Sequence, residues 1–172
     1  MRIGIVKYVW NEKGIHMRYD YEEKVSVIIS GVVEKQFLEY MNCYDYKVEH
    51  GGIMAGILKP DKKQIVITDI TTPQEDDICR AFSFHRSENK HQLIMDSLWR
   101  ESQYTKTYLG EWHTHREATP TPSSVDRKNW NRIIKREKNS DWIFFIIVGT
   151  KNIGIWTIEN GRIVKMSERD IN

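Results

Sequence analysis

The chain is poor in the residues that staple small proteins together. Its 172 residues include only two cysteines, Cys43 and Cys79, and neither belongs to a Cys-x-x-Cys pair. This excludes a disulfide framework and a cysteine-rich zinc ribbon, and it suits a reducing cytoplasm. Four prolines and ten glycines are too few for a collagen-like or low-complexity chain. No apolar run approaches the ~18 residues of a membrane span. Charge of one sign is also missing: 26 Lys and Arg face 24 Asp and Glu, a net of +2, which gives no electrostatic case for nucleic acid. There is no repeat and no Gly/Ser linker, so a single domain over residues 1–172 is expected. The opening Met1–Trp10 is broken by Lys7 and lacks a small-residue cleavage pattern, so it reads as a first strand rather than a signal peptide. What is present is globular: 40% apolar, 29% charged, six Trp and eight Tyr. A chain of this length buries roughly 70% of its unfolded surface and needs no staples.

Hydrophobic periodicity alternates between strand and helix patterns. Val25–Ile29 reads as a strand ending at Gly31, and Val33, Phe37, Met41 and Tyr44 recur on one face of a helix over about 32–44. Glu49–Lys59 and Gln64–Ile70 form a hairpin broken by Pro60-Asp61. Residues 71–77 are a loop whose Glu75-Asp76-Asp77 is expected to be solvated. Ser87 can cap a helix bearing His91, Ile94, Met95 and Leu98 on one side, with His91 packed or at a rim. Thr107–Trp112 is a strand. A helix starts within 120–124 and runs to about Lys138, its cations Arg127, Lys128, Arg132, Lys135, Arg136 and Lys138 forming a solvated outer face. Trp142–Val148 is almost unbroken apolar, as in a strand covered on both faces. Residues 153–159 and 161–166 close a hairpin across Asn160-Gly161. The sum is an α/β domain with a mixed central sheet flanked by helices.

The chemistry is concentrated in Gly110-Glu-Trp-His-Thr-His115 and in Ser123-Ser-Val-Asp126. On a strand, His113 and His115 share a face with Cα atoms roughly 6.5–7 Å apart, so two imidazoles can converge on one cation. By the same alternation Leu109 and Glu111 join the histidine face, and Tyr108 and Trp112 the other. Asp126 opens a helix whose apolar positions are Trp130, Ile133 and Ile134, which turns its carboxylate inward. A buried carboxylate requires a partner, and a metal on two histidines supplies one, giving a zinc site of the open, catalytic type. Ser123-x-x-Asp126 is equally a helix capping box, which would explain the aspartate but not the histidines. Hydrolysis on zinc also needs a proton-handling carboxylate. Glu111 and Glu49 are the candidates, the former also able to orient an imidazole.

These residues resemble a family. Glu-x-Gly-Gly-x-x-x-Gly at 49–56, then Gly-Glu-Trp-His-Thr-His, seven residues and Ser-x-x-Asp, is similar to the JAB/MPN (JAMM) zinc metalloproteases, whose domain is cytidine-deaminase-like. The resemblance spans roughly residues 20–160. It implies zinc held by His113, His115 and Asp126, Glu49 as general acid/base, and Ser123 donating a hydrogen bond to the oxyanion. The His91–Trp99 helix, Tyr108–His115, Pro122-Ser-Ser and Trp130 further resemble the stand-alone bacterial JAB proteins of CBASS anti-phage operons. That narrower likeness implies a cytoplasmic deubiquitinase-like isopeptidase. Its protein substrate would bear an extended C-terminal tail: a cGAS-like nucleotidyltransferase (CD-NTase) conjugate made by an E1–E2-like ligase, or a ubiquitin-like protein of another cassette. A non-catalytic MPN scaffold is the alternative of a different class. A zinc deaminase is excluded, because its Pro-Cys-x-x-Cys is missing. Two positions depart from the family: Arg116 stands where Pro usually follows the second histidine, and His50 where Thr is common, beside the expected base. A protonated His50 would lower the pKa of Glu49.

Overall fold

The structure, a computed structural model, describes residues 17–42, 47–61, 63–137 and 140–169. The strand expected over Met1–Trp10, the end of the helix expected to 44, Cys43 and Lys138 lie outside them. Eleven strands and three helices follow in the order β1 (Met17–Tyr21), β2 (Val25–Ile29), α1 (Gly31–Asn42), β3 (Gly51–Leu58), β4 (Gln64–Ile70), β5 (Ile78–Arg80), β6 (Ser83–His85), α2 (Glu88–Glu101), β7 (Thr107–Thr114), α3 (Ser124–Arg136), β8 (Phe144–Val148), β9 (Ile153–Glu159), β10 (Arg162–Lys165) and β11 (Ser167–Arg169).

Nine strands form one mixed sheet in the order β10-β9-β8-β7-β3-β4-β2-β1-β11, and β5-β6 is a separate hairpin. The β2/β4 and β7/β8 pairs are parallel, the other pairs antiparallel. Covering on both faces explains the composition of the centre: every residue of β8 is buried. Phe144, Ile146, Met54 and Trp112 pack with Val33 and Phe37 of α1 on one face. On the other, Phe145 and Ile147 pack with Trp130 and Ile133 of α3, and Ile53 and Ala55 with Met95 of α2. The closing hairpin turns at Asn160 and Gly161, both at positive φ (49° and 75°), as a two-residue turn of primed type requires.

A bulge changes the expected alternation of β7. Met54 pairs with Gly110 and Ala55 with Tyr108, leaving Leu109 as the extra residue. Gly110 has φ 133°, and a Cβ there would lie 1.8 Å from the Phe144 carbonyl oxygen. Leu109 therefore joins Trp112 on the α1 face, while Tyr108 packs on the opposite side. This corrects the strict period-2 reading for those two residues.

Candidate metal centre

The histidines sit at the end of β7, on the face covered by α3. Main-chain bonds fix that end on both sides. The His115 N–H donates to Val148 O (2.9 Å), the Thr114 N–H to His50 O (2.8 Å), and the His50 N–H to Thr114 Oγ1 (3.0 Å). The stretch before β3 is thereby held beside β7, and the Glu49 N–H donates to Arg80 O (2.7 Å), tying it to β5 as well. Glu49 and His113 end up 8% and 9% exposed.

Asp126 arrives from α3. Ser123 is the N-cap; its Oγ accepts from the Asp126 N–H (3.2 Å), and Asp126 Oδ2 accepts from the Ser123 N–H (2.7 Å). The capping box is therefore real, and it is not an alternative to a ligand site. It clamps the carboxylate while the same group faces both imidazoles: Asp126 Oδ1 lies 3.2 Å from His113 Nε2 and Oδ2 3.4 Å from His115 Nε2. The two Nε2 atoms are 3.1 Å apart.

These separations test the fit to zinc. Metal–ligand bonds of about 2.0–2.1 Å in a tetrahedral site put donor atoms roughly 3.3 Å from each other. The two imidazoles lie 3.1 Å apart, and each has its own Asp126 oxygen close by, Oδ1 at 3.2 Å from His113 and Oδ2 at 3.4 Å from His115. The electrostatics agree. Burial pushes the Asp126 carboxyl up, but His113 and His115 outweigh it and hold the group well below the usual carboxylate range. Burial pushes His115 down, and the hydrogen bond and charge of Asp126 outweigh that in turn. The pocket is built to stabilise positive charge. Glu49 stands further out, its Oε1 3.9 Å from His115 Nε2, although Glu49, His113 and His115 offer ligand atoms within 4.8 Å of one another. Asp126 lies nearer the two imidazoles than Glu49 does. Burial raises the Glu49 carboxyl against the pull of both histidines.

Other expectations resolve differently. Glu111 does not orient an imidazole: Arg86 grips its Oε1 through Nη2 (2.7 Å) and Nε (3.1 Å). Burial lowers the pKa of His50, which favours its neutral form. Arg116 reaches across to the β5–β6 hairpin, its guanidinium 5.9 Å from the ring centroid of Phe82, which is 83% exposed.

Of the acidic triplet, Glu75 and Asp76 are exposed, but the Asp77 side chain is fully buried. It accepts from the Ser87 N–H (2.7 Å) and the Gln74 N–H (2.7 Å) and meets His91 Nε2 at 2.9 Å. His91 Nδ1 in turn meets Thr71 Oγ1 at 2.6 Å. Asp77, not the Ser87 side chain, thus satisfies the start of α2. Thr71 links this chain to the centre, because its Oγ1 accepts from the Ile53 N–H and its carbonyl from Trp112 Nε1, each at 2.9 Å.

Residues 19–159 match the family model of prokaryotic homologs of the JAB domain. The chain belongs to that family. Its α/β sheet and helices are the JAB architecture. Among curated relatives named CD-NTase/cGAS isopeptidase, the one from Vibrio cholerae serotype O1 is 30% identical over 138 residues, covering 80% of this chain and 85% of the relative. The one from Escherichia coli (strain TW11681) is 31% identical over 147 residues, covering 85% and 90%. The one from Pseudomonas aeruginosa is 33% identical over 113 residues, covering 66% and 70%. The solution structure of DSY2949 from Desulfitobacterium hafniense shares the fold of this JAB chain, with a TM-score of 0.56 at 14% identity over 80% of this chain and 87% of that one. Among the described residues no helix is long and apolar enough to cross a membrane.

Proposed function

We propose that this JAB chain is a zinc-dependent isopeptidase that releases proteins joined through an extended C-terminal tail, with a CD-NTase as the joined protein in CBASS anti-phage defence. The observation that carries this reading is the convergence of both imidazoles and the Asp126 carboxylate within 3.1–3.4 Å of one another, beside Glu49. The isopeptidase names of relatives covered over most of their length support the substrate. The conjugate would come from an E1–E2-like ligase of the same operon, in the cytoplasm, and the catalytic domain would span residues 1–172.

His113, His115 and Asp126 would hold the zinc. When bound, the metal supplies Lewis acidity that polarises a scissile carbonyl and brings water toward a pKa near about 7. Glu49 takes the proton of the attacking water and delivers it to the leaving amine. Burial raises its pKa above the ordinary carboxylate value, which favours its accepting a proton. The Ser123 oxygen accepts in the capping box, which leaves its O–H to donate to the oxyanion. The tail lies extended along β6, which has one strand neighbour, β5. Between β6 and α3, next to His113 and Asp126, the cavity is only about 40 Å³, which favours small residues at the cleaved bond.

Purified protein is expected to carry about one zinc per chain, as such a ligand set implies, and to cut a CD-NTase conjugate. His113→Ala loses the metal; Glu49→Gln keeps it and loses cleavage. Stoichiometric zinc in His113→Ala, or unimpaired cleavage by Glu49→Gln, refutes the assignment. Cleavage of a ubiquitin-like fusion but not of the CD-NTase conjugate moves the substrate to another cassette.

A further inference from the structure

The α3 cations do not all face bulk solvent alike. Arg132 and Arg136 line a cavity of about 340 Å³ between α3 and the segment after β6, opposite Arg86. This cavity continues the smaller one at the metal centre, for Phe84, Glu111 and Asn129 line both. Asp126, Asn129, Ile133 and Arg136 fall at helical spacing, so one stripe of α3 runs from the centre into the wider cavity.

The charges there are unevenly paired. Arg86, Arg132 and Arg136 line the cavity together with Glu88 and Glu111. Arg86 is taken by Glu111 at 2.7 Å, and Arg136 by Glu88 at 2.8 Å and Glu137 at 3.1 Å. Among the described residues no carboxylate pairs with Arg132, so its guanidinium is the unpaired one of the three. A groove that widens as it leaves the reaction centre, and there presents one uncompensated guanidinium, suits an anionic side chain.

We propose that Arg132 determines specificity by pairing with an acidic side chain of the substrate tail. Resting on the isopeptidase reading, this places the acid on the acyl side, because an isopeptide's leaving group is a lysine amine with no main chain running alongside. Arg132 lies six residues beyond Asp126 on α3, a rise of about 9 Å. An extended chain covers that in about three residues, which sets the position of the acid relative to the bond cut.

The test uses two fluorescent decapeptide tails of small residues that differ only in Glu or Lys about three positions before the terminal glycine. Each is made as a free acid for binding and as a lysine ε-amide for cleavage. Wild-type protein is expected to bind and cut the Glu tail roughly five-fold better at low salt, the ratio shrinking as salt rises. Arg132→Lys keeps the preference and Arg132→Glu inverts it. Equal affinities in the wild type, an unchanged ratio in Arg132→Glu, or failure of both tails to bind overturns the proposal. Equal cleavage of both ε-amides, with equal affinities, removes the subsite and leaves the isopeptidase reading standing. An affinity ratio that inverts in Arg132→Glu, with neither ε-amide cut, keeps the subsite and removes that reading.

Discussion

Ser123 is where a structural and a chemical role can be separated by size. Ser123→Ala removes the Oγ that accepts from the Asp126 N–H at 3.2 Å. Loss of such a cap costs about 0.5–2 kcal/mol, and the long, exposed contact places this one near the lower end. The other half of the capping box survives, because Asp126 Oδ2 is held at 2.7 Å by the main-chain N–H of residue 123, which any residue but proline supplies. The carboxylate therefore keeps its place against His113 and His115, and the variant is expected to fold and bind zinc normally. If the O–H steadies an oxyanion, kcat falls by about 10²–10³, equivalent to roughly 2.7–4 kcal/mol, several times the loss of stability. The assay is a triplet on each variant: urea midpoint, zinc content, and kcat on a fluorogenic lysine ε-amide of a small-residue tail. Ser123→Thr, which retains the hydroxyl, should restore both stability and rate. A Ser123→Ala enzyme within about three-fold of the wild-type rate would show that the serine only caps the helix. A rate loss that tracks zinc loss would show that it acts by holding Asp126.

Glu111→Gln is expected to keep zinc and most activity, with kcat/KM within about five-fold, because Arg86 already occupies its Oε1; a dead Glu111→Gln beside an active Glu49→Gln would move the base to residue 111. Gly110→Ala combines a φ of 133° with a Cβ placed 1.8 Å from Phe144 O, and should lower stability by at least about 3 kcal/mol in urea unfolding. Asp77→Asn should cost about 2–4 kcal/mol at pH 7. Burial pushes the Asp77 carboxyl up, but the Gln74 and Ser87 N–H groups and His91 outweigh it and depress the pKa. Its stabilisation is then fully present above the unfolded value of about 3.9 and is lost as pH falls through the lower folded one, so the gap between wild type and Asp77→Asn should close below about pH 4; a gap constant from pH 7 to 3 refutes this.

The elements that sequence patterning located well are those with strong local signals. The residues 64–70 that read as a strand are those of β4, residues 153–159 are those of β9, and the Asn160-Gly161 turn has the positive φ values its residue types permit. Strands without such signals were not legible. β5 and β6 have three residues each, and β11 is Ser-Glu-Arg, wholly exposed, so none shows apolar alternation. β1 buries only Tyr19 of its five residues. The bulge in β7 is a tertiary event whose one local trace is a glycine within a strand pattern. At the candidate site, His113, His115 and Asp126 could be named from a strand His-x-His followed at a fixed interval by a carboxylate, whereas only the family resemblance picks out Glu49. The Arg86 clamp on Glu111, the Thr71–His91–Asp77 chain and the Arg132 cavity join segments 14 or more residues apart that carry no mutual pattern, and only folding brings them together.

The donor set is held mainly by main chain, and this decides what its variants can teach. His115 hangs from the Val148 carbonyl, His50 and Thr114 are cross-tied beside Glu49, Glu49 itself donates to Arg80 O, and Asp126 is gripped by the N–H of Ser123. None of these bonds passes through an imidazole or through the Glu49 carboxyl. Removing His113 or His115 therefore deletes a donor, and removing Glu49 deletes the carboxylate beside it, without releasing the segment that carries either. Asp126 is the exception, because its side chain is both a donor to the site and the acceptor of the Ser123 N–H. Its substitution should loosen the start of α3 as well as the centre, by the ~1 kcal/mol scale of a lost cap. Loss of metal from a histidine variant is for that reason the cleaner reading of coordination, and loss from Asp126→Ala requires the unfolding curve beside it.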